Sequence, residues 1–184
     1  MPIPGMFFVP SKKFPDNRGY YSELSRIPEL DAFLPQPLLA KQINLARSET
    51  NVARGIHAED WNKLVTVTNG VCFCAFVDFR PDSPTFANAV TIVLGHGETA
   101  LYGSVYVPSG VGNSLCVLEG PVDYLYVVDR LYKDRDPAGD QAFSLFDPDI
   151  AIPWPISTEE MILSDRDRAS ITLREKYPEH FGEK

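Results

Sequence analysis

The chain has little cysteine, no excess of basic charge and no long apolar run, and each shortage excludes a class of protein. Its three cysteines are too few for a disulfide framework, which favours reduced thiols in a cytoplasmic protein. Cys72 and Cys74 share one face of a predicted strand, and we interpret them as core residues because a zinc site would need more ligands nearby. Acidic residues outnumber basic ones by 25 to 17, which disfavours a general affinity for nucleic acid. No segment is long and apolar enough to span a membrane, and the N-terminus lacks the pattern of a signal peptide.

The residues that are present predict one folded domain over residues 1–184. Hydrophobic residues make up 44% of the chain, which is too many for a disordered protein. Sixteen prolines and twelve glycines are spread between many short alternating runs, a pattern typical of a β-sandwich or barrel. We therefore expect an all-β fold with a short helix over residues 25–34 and a tail from about residue 157 that is partly helical.

Two glycine-containing segments predict tight turns. Asn69-Gly70 is the strongest hairpin signal of the chain, so we expect it to join a strand over residues 63–68 to one over residues 71–79. Gly95-His96-Gly97 predicts a turn that leaves His96 exposed and chemically inert.

The segment from Arg54 to Lys63 combines three kinds of chemistry. The planar guanidinium of Arg54 suits phosphate, and His57 is the side chain most easily used as a base near neutral pH. Lys63, at the start of a predicted strand, can stabilise a nearby oxyanion. Together they suggest proton abstraction from a phosphorylated ketone, although a polar turn that enters a strand explains the same residues equally well.

Other polar residues also have two interpretations. On a strand over residues 41–46, Gln42 and Asn44 point to the same side, where they are either solvated or line a polar pocket. Ser164 and Asp167 fit the Ser-x-x-acid pattern of a helix cap, which explains Asp167 locally.

Eight short blocks between residues 7 and 168 follow the order of motifs in one known family. The three longest are residues 14–23, similar to F-x-D-x-R-G-x-F-x-E, residues 51–57, similar to N-V-x-R-G-L-H, and residues 77–86, similar to V-D-x-R-x-x-S-P-T-F. The shorter blocks are Gln42-x-Asn44, Pro108-x-Gly110, Tyr124-Leu125-Tyr126, Asp147-Pro148 with Ile152-x-Trp154-Pro155, and Ser164-x-x-Asp167. The chain thus resembles the dTDP-4-dehydrorhamnose 3,5-epimerase family over nearly its whole length.

This resemblance implies a fold, an activity and a set of site residues. The fold would be a cupin-like jelly-roll β-barrel that forms a homodimer, and the substrate a nucleotide-linked 4-keto-6-deoxy sugar, with no metal or redox cofactor. His57 would remove the proton beside the ketone, with Asp167 as its partner. Lys63 would stabilise the enolate oxygen, and Tyr126 would return a proton from the opposite face. The residues implied in substrate binding are Arg18, Glu23, Gln42, Asn44, Arg54, Asn113 and Tyr132.

Two positions depart from the family pattern. Asn113 stands where many members have histidine, and the family's H-x-Q reads His57-Ala58-Glu59, followed by a shortened loop before Lys63. Both changes lie near the expected place of the sugar. They suggest a 4-keto sugar other than the rhamnose precursor, or epimerisation at a single carbon, and the choice between C3, C5 and both stays open.

Two other functions are compatible with such a fold. A metal-dependent cupin enzyme would need several histidine and carboxylate ligands, for which His57 and Glu59 are candidates. The other is a non-catalytic sugar-nucleotide-binding cupin, which we rank below the enzyme because His57, Lys63, Tyr126 and Asp167 are all present.

Overall fold

The computed structural model describes residues 1–136 and 139–182, which contain ten strands and three short helices. The strands are β1 (Phe7–Pro10), β2 (Lys12–Asp16), β3 (Gly19–Glu23), β4 (Gln42–Ser48), β5 (Ala53–Ala58), β6 (Lys63–Asp78), β7 (Ala89–Gly95), β8 (Gly103–Val107), β9 (Val111–Val128) and β10 (Gln141–Ala142). The helices are α1 (Ile27–Asp31), α2 (Asp165–Arg168) and α3 (Leu173–Lys176), and single 3-10 turns lie at Tyr132–Asp134 and Pro178–His180. The predicted all-β class is confirmed. The polar character of residues 133–142 predicts a loop, of which residues 137 and 138 lie outside the described residues.

The two longest strands, β6 and β9, pair antiparallel and connect the two halves of the fold. In one half, β8 pairs with the first part of β6 and β4 with the second part of β9. In the other half, β7 pairs with the second part of β6 and β5 with the first part of β9. The halves enclose one apolar core, as in a cupin-like jelly roll. Its residues include Met6, Val65, Val67, Cys72, Cys74, Phe76, Leu94, Val105, Leu115, Val117, Val122 and Tyr124.

The hairpin predicted at Asn69-Gly70 is wrong, because these residues lie inside the continuous strand β6. Gly70 has φ +75°, and the pairing of β6 with β9 shifts register around it. A Cβ at Gly70 would stand 2.6 Å from the carbonyl oxygens of Glu119 and Pro121, so only glycine fits beside the neighbouring strand. The dipeptide therefore forms an irregularity within a strand, where the backbone requirement resembles that of a hairpin turn.

A matching irregularity in β9 reverses the alternation of side chains. Before residues 118–121 the core-facing positions are odd-numbered, as in Leu115 and Val117, and after them they are even-numbered, as in Val122 and Tyr124. Since strand residues alternate between two faces, a change of parity requires a break in the regular pattern. Both parts of β9 thus turn side chains toward the same interior.

The C-terminal segment covers the outer face of β5 and the second part of β6. A second apolar cluster joins strand residues such as Ile56 and Val77 to Phe143, Leu145 and Leu173 of that segment. Backbone hydrogen bonds also join the segment to β5, including Ala53 N–H to the Ile162 carbonyl at 3.0 Å. This packing brings α2 against β5.

Asp78, the last residue of β6, has a buried carboxylate. It accepts hydrogen bonds from Arg80 Nε at 2.7 Å, Ser83 Oγ at 2.5 Å and Thr85 Oγ1 at 2.7 Å. Burial alone would raise the pKa of Asp78, but these donors outweigh it and lower the pKa to about 2. The block at residues 77–86 therefore closes a turn, which is a structural role.

His96 is half-buried, so the expectation of an exposed side chain is wrong. The two-stranded sheet of β2 and β3 brings Lys13 Nζ to 2.8 Å from His96 Nδ1. The ring of His96 also contacts the rings of Tyr20 and Tyr102, with centroids 6.0 and 4.9 Å apart. The turn at residues 95–97 is therefore covered by this small sheet.

The three cysteines are free and buried, and Cys72 Sγ lies 3.4 Å from Cys74 Sγ within the core, as predicted. Within the described parts of the chain, every helix falls short of the length and apolar character that a membrane span requires.

Candidate active site

A cavity of about 200 Å³ opens on the face where β4, β5, β6 and β9 meet. Its lining residues are Ala46, Arg54, His57, Glu59, Lys63, Asn113, Leu115, Tyr124 and Tyr126. Five of them were expected at the site from the sequence: His57, Lys63, Tyr126, Arg54 and Asn113. Jelly-roll pairing brings these residues together from strands that are distant in sequence.

His57 and Asp167 meet at the edge of this cavity. His57 is on β5, and its Nε2 lies 2.7 Å from Asp167 Oδ1 on α2. Ser164 Oγ donates to Asp167 Oδ2 at 2.9 Å and accepts from the Asp167 backbone N–H at 3.1 Å, so the predicted helix cap is also present. One carboxylate therefore caps a helix and orients an imidazole.

The charge of Asp167 follows from these contacts. Burial raises its pKa, but the hydrogen bonds from His57 and Ser164 outweigh burial, so that the pKa lies below its usual value. An ionised Asp167 accepts a hydrogen bond from Nε2–H of His57, which leaves Nδ1 as the nitrogen able to take a proton. The same carboxylate stabilises the imidazolium that would result.

Lys63, the first residue of β6, is a buried cation in the cavity. Its side chain is 4% exposed, and Nζ donates hydrogen bonds to Glu59 Oε2 and Asn113 Oδ1. Burial lowers the pKa of Lys63, while the negative charges of Glu59 and Asp140 oppose that change. An ammonium fixed in this way can stabilise negative charge on a ligand oxygen.

Tyr126 lines the same cavity from β9, where it pairs with Asn44 of β4 and Val65 of β6. Burial raises the pKa of the Tyr126 phenol, and the negative charge of Glu59 raises it further. The phenol is therefore protonated near neutral pH and can act as a proton donor. A candidate base and a candidate acid thus share one cavity.

Polar side chains extend from the cavity along β4. Gln42 Nε2 donates to Asn44 Oδ1 at 2.6 Å, which confirms that the two amides share a face, and Gln42 Oε1 accepts from the Tyr132 backbone N–H at 2.9 Å. Arg54 is held beside this strand by a hydrogen bond from its Nε to Ser48 Oγ at 2.8 Å. These residues form a polar border next to the cavity.

Arg18 and Glu23, which were expected at the substrate, do not line the cavity of their own chain. Arg18 is 85% exposed and pairs with Asp16 at 2.6 Å, and Glu23 pairs with Arg26 at 2.6 Å. Glu23 ends β3 and Arg18 lies in the turn between β2 and β3, and this separate sheet packs against His96.

Glu59, whose departure from the family pattern placed it near the sugar, lines the cavity, whereas sequence reasoning missed Tyr124 as a lining residue. Tyr124 lies two positions before Tyr126 on β9, so the alternation of side chains along a strand could have placed it on the same face. The phenol of Tyr124 was instead attributed to packing, and its burial in the core agrees with that.

The donor set does not favour the metal-dependent alternative. Across residues 1–136 and 139–182, no three histidine, cysteine, aspartate or glutamate side chains are grouped as metal ligands. The two candidates from the sequence have other partners, since His57 contacts Asp167 and Glu59 contacts Lys63.

Comparisons with known proteins agree with the fold. The sequence model of the dTDP-4-dehydrorhamnose 3,5-epimerase family matches residues 1–175. The dTDP-4-dehydrorhamnose 3,5-epimerase of Escherichia coli K12 is 31% identical and covers 94% of this chain and 92% of its own. NovW, a 4-keto-6-deoxy sugar epimerase of Streptomyces spheroides, superposes with a TM-score of 0.87 at 28% identity, covering 98% of this chain and 88% of its own.

A third relative differs in the number of carbons it inverts. ChmJ of Streptomyces bikiniensis, a 3'-monoepimerase solved with dTDP-quinovose, superposes with a TM-score of 0.84 at 27% identity and covers 97% of this chain and 89% of its own. The family model matches almost the whole chain, and the fold is that of a solved epimerase, so this protein belongs to the dTDP-4-dehydrorhamnose 3,5-epimerase family.

Proposed function

We propose that this epimerase inverts C3, C5 or both carbons of a nucleotide-linked 4-keto-6-deoxy sugar, with His57 as the base and Tyr126 as the acid. The observation that supports the proposal most is that His57, Lys63 and Tyr126 line one cavity. Inversion beside a ketone needs a base on one face of the carbon and an acid on the other, and two strands supply the two groups here.

In the proposed reaction the C–H bond beside the C4 ketone breaks and its proton passes to Nδ1 of His57. The electron pair moves into the ring as an enolate, whose oxygen takes up the negative charge. The charge is stabilised by Lys63, while Asp167 stabilises the imidazolium. The Tyr126 phenol then donates its proton to the opposite face of the same carbon. A base and an acid of this kind contribute typically about 10²–10⁴-fold each to the rate.

We place the nucleotide diphosphate along the polar border of the cavity. Arg54 offers a guanidinium for paired phosphate oxygens, and Gln42, Asn44 and Tyr132 follow along the same edge. Asn113 is the candidate contact to the sugar, because its amide already bonds to Lys63 inside the cavity. Because ChmJ was solved with dTDP-quinovose, a sugar linked to deoxythymidine diphosphate is the first substrate to test.

We further propose a cytoplasmic homodimer. The outer face of β4 carries Ile43 and Leu45, which are 67% and 63% exposed, and such apolar side chains favour a protein contact. A second subunit also offers Arg18 and Glu23 a route to a cavity that they do not reach within their own chain. Free buried thiols fit a reducing compartment. Sedimentation analysis should give twice the monomer mass, and a monomer would contradict this arrangement.

The activity is tested by incubation with dTDP-linked 4-keto-6-deoxy sugars in deuterated water. We expect deuterium at C3, at C5 or at both, read by NMR, and the labelled position identifies the carbon that is attacked. A protein that introduces no label into any such sugar would contradict the proposal and favour a non-catalytic binder.

Tyr126→Phe tests the acid separately. Because phenylalanine cannot donate a proton, this variant should lose net inversion more than exchange on the first face. Tyr102→Phe, which removes a phenol near His96, is the matched control and should behave like the parent. Inversion by Tyr126→Phe at the rate of the parent would show that another group is the acid.

A further inference from the structure

The ion pair between Glu59 and Lys63 lies in the cavity, yet Glu59 takes no part in the proton transfers above. The two side chains are only 14% and 4% exposed, and Lys63 Nζ donates to Glu59 Oε2. The family pattern has an uncharged glutamine at the position of Glu59. Burying an additional charge is costly unless it is compensated, and here the buried ammonium of Lys63 is the compensating group.

The connection between β5 and β6 brings Glu59 to the lysine. It consists only of residues 59–62, which places the carboxylate four positions before Lys63. The backbone N–H and side-chain Nδ2 of Asn62 donate to the Asp129 carboxylate at 3.0 and 2.6 Å. The connection is therefore anchored to the end of β9, and Glu59 is held by a fixed loop.

The hydrogen bonds of Lys63 leave one donor for a ligand. An ammonium has three N–H groups. Among the described residues, Glu59 Oε2 and Asn113 Oδ1 accept from Nζ. With two contacts fixed, the flexible four-carbon stem holds one orientation, and the third N–H is available to an oxygen in the cavity that His57 and Tyr126 also line.

The charge of Lys63 depends on its surroundings. Burial lowers its pKa, which favours the uncharged amine, and a neutral amine stabilises an enolate less well. Glu59 opposes this effect by direct contact, and Asp140 adds its negative charge. The other charged or titratable groups of the cavity wall are Arg54, His57, Tyr124 and Tyr126.

We infer that Glu59 is a positioning residue of the reaction, which keeps Lys63 protonated and directs its third N–H to the ketone oxygen of the substrate. The inference rests on the proposed role of Lys63 as the group that stabilises the enolate. An enzyme with glutamine at position 59 keeps the hydrogen bond but loses the negative charge, so it retains the protonated lysine over a narrower pH range.

The test compares Glu59→Gln with Asp60→Asn, the same change at the neighbouring carboxylate, which pairs with Arg130 outside the cavity. In Glu59→Gln, the fall of deuterium exchange at high pH should begin about one pH unit lower than in the parent. That shift corresponds to an approximately tenfold loss of rate in the alkaline range. Asp60→Asn should keep the profile of the parent, and Glu59→Asp should restore part of it. Identical alkaline limbs in Glu59→Gln and the parent would overturn the inference.

A second readout needs no substrate. In protein labelled with ¹³C-lysine, the Lys63 signal, assigned with Lys63→Met, should titrate at lower pH in Glu59→Gln than in the parent. An unchanged titration overturns the inference even if the parent epimerises its substrate. If the parent protein takes up no deuterium at any pH, the proposed function is wrong. The inference about Glu59 is then still tested by the Lys63 signal, which should respond to Glu59→Gln.

Discussion

His57 and His96 meet partners of opposite charge at nearly equal distances. His57 Nε2 lies 2.7 Å from Asp167 Oδ1, and His96 Nδ1 lies 2.8 Å from Lys13 Nζ. A carboxylate stabilises an imidazolium, whereas an ammonium donates to the neutral ring and repels a second positive charge. Burial lowers the pKa of His96, and the charge of Lys13 lowers it further. The two rings therefore differ in the charge of their partner, and for His96 that charge favours the neutral ring.

The surroundings of the two rings differ in the same sense. His57 borders a cavity that also contains a cation and a phenol. His96 is enclosed by Tyr20 and Tyr102, and Lys13 Nζ lies 4.9 and 4.5 Å from the centroids of these two rings. The second arrangement holds the sheet of β2 and β3 against the turn at residues 95–97, which is a structural role.

The largest expected effect separates the two histidines directly. His57→Asn should reduce deuterium uptake by about 10²–10⁴-fold, because the base is lost, while the fold remains. His96→Asn is the matched control and should keep the rate of the parent, since this ring lies outside the cavity. Exchange is followed by NMR in deuterated water. Equal rates for His57→Asn and the parent would show that a different residue is the base.

An intermediate effect on the turnover rate is expected from a substitution of Asp167, the partner of His57. Asp167→Asn keeps a side chain that can hydrogen-bond Ser164 but removes the charge that stabilises the imidazolium, so the turnover rate should fall by about 10²-fold or more. Lys13→Met removes the charged partner of His96 and should leave turnover unchanged. Thermal denaturation checks that both variants are folded, and a folded Asp167→Asn protein with full turnover would remove Asp167 from the mechanism.

The smallest effect concerns titration of His96. Its pKa in the folded protein lies below the ordinary histidine value near 6.5, so the unfolded chain binds more protons and stability falls as the pH drops below that value. Lys13→Met should raise the pKa of His96 and thereby reduce this loss of stability. NMR titration of the ring and denaturation at several pH values measure both. A lower pKa of His96 in Lys13→Met would contradict the assignment of cause.

The fold class could be predicted because it depends on a repeated local pattern, the alternation of short apolar runs. The contact between His57 and Asp167 could not be derived from local pattern, since 110 residues separate them. Ser164-x-x-Asp167 reads as a helix cap, and the structure shows that Oδ2 serves the cap while Oδ1 serves His57. Only the family resemblance connected these two residues in advance.

The two wrong predictions, for Asn69-Gly70 and for His96, have a common physical origin. Asn69-Gly70 satisfies the backbone requirement of a hairpin, but the neighbouring strand β9 decides that it lies inside a strand. His96 follows a glycine in a turn, but the separate sheet of β2 and β3 covers it. In both cases a partner distant in sequence determined the outcome, and a local motif carries no information about such a partner.

Residues 118–121 change which face of β9 the odd-numbered and even-numbered side chains occupy, and this limits the insertions and deletions that the strand can accept. Asn113 and Tyr126 are thirteen positions apart on one strand and would face opposite sides of a regular one, yet both line the cavity. Inserting or deleting a single residue between them would turn one of the two outward, whereas changes in pairs would preserve both. We therefore expect length variation in this part of the chain to be tolerated in steps of two.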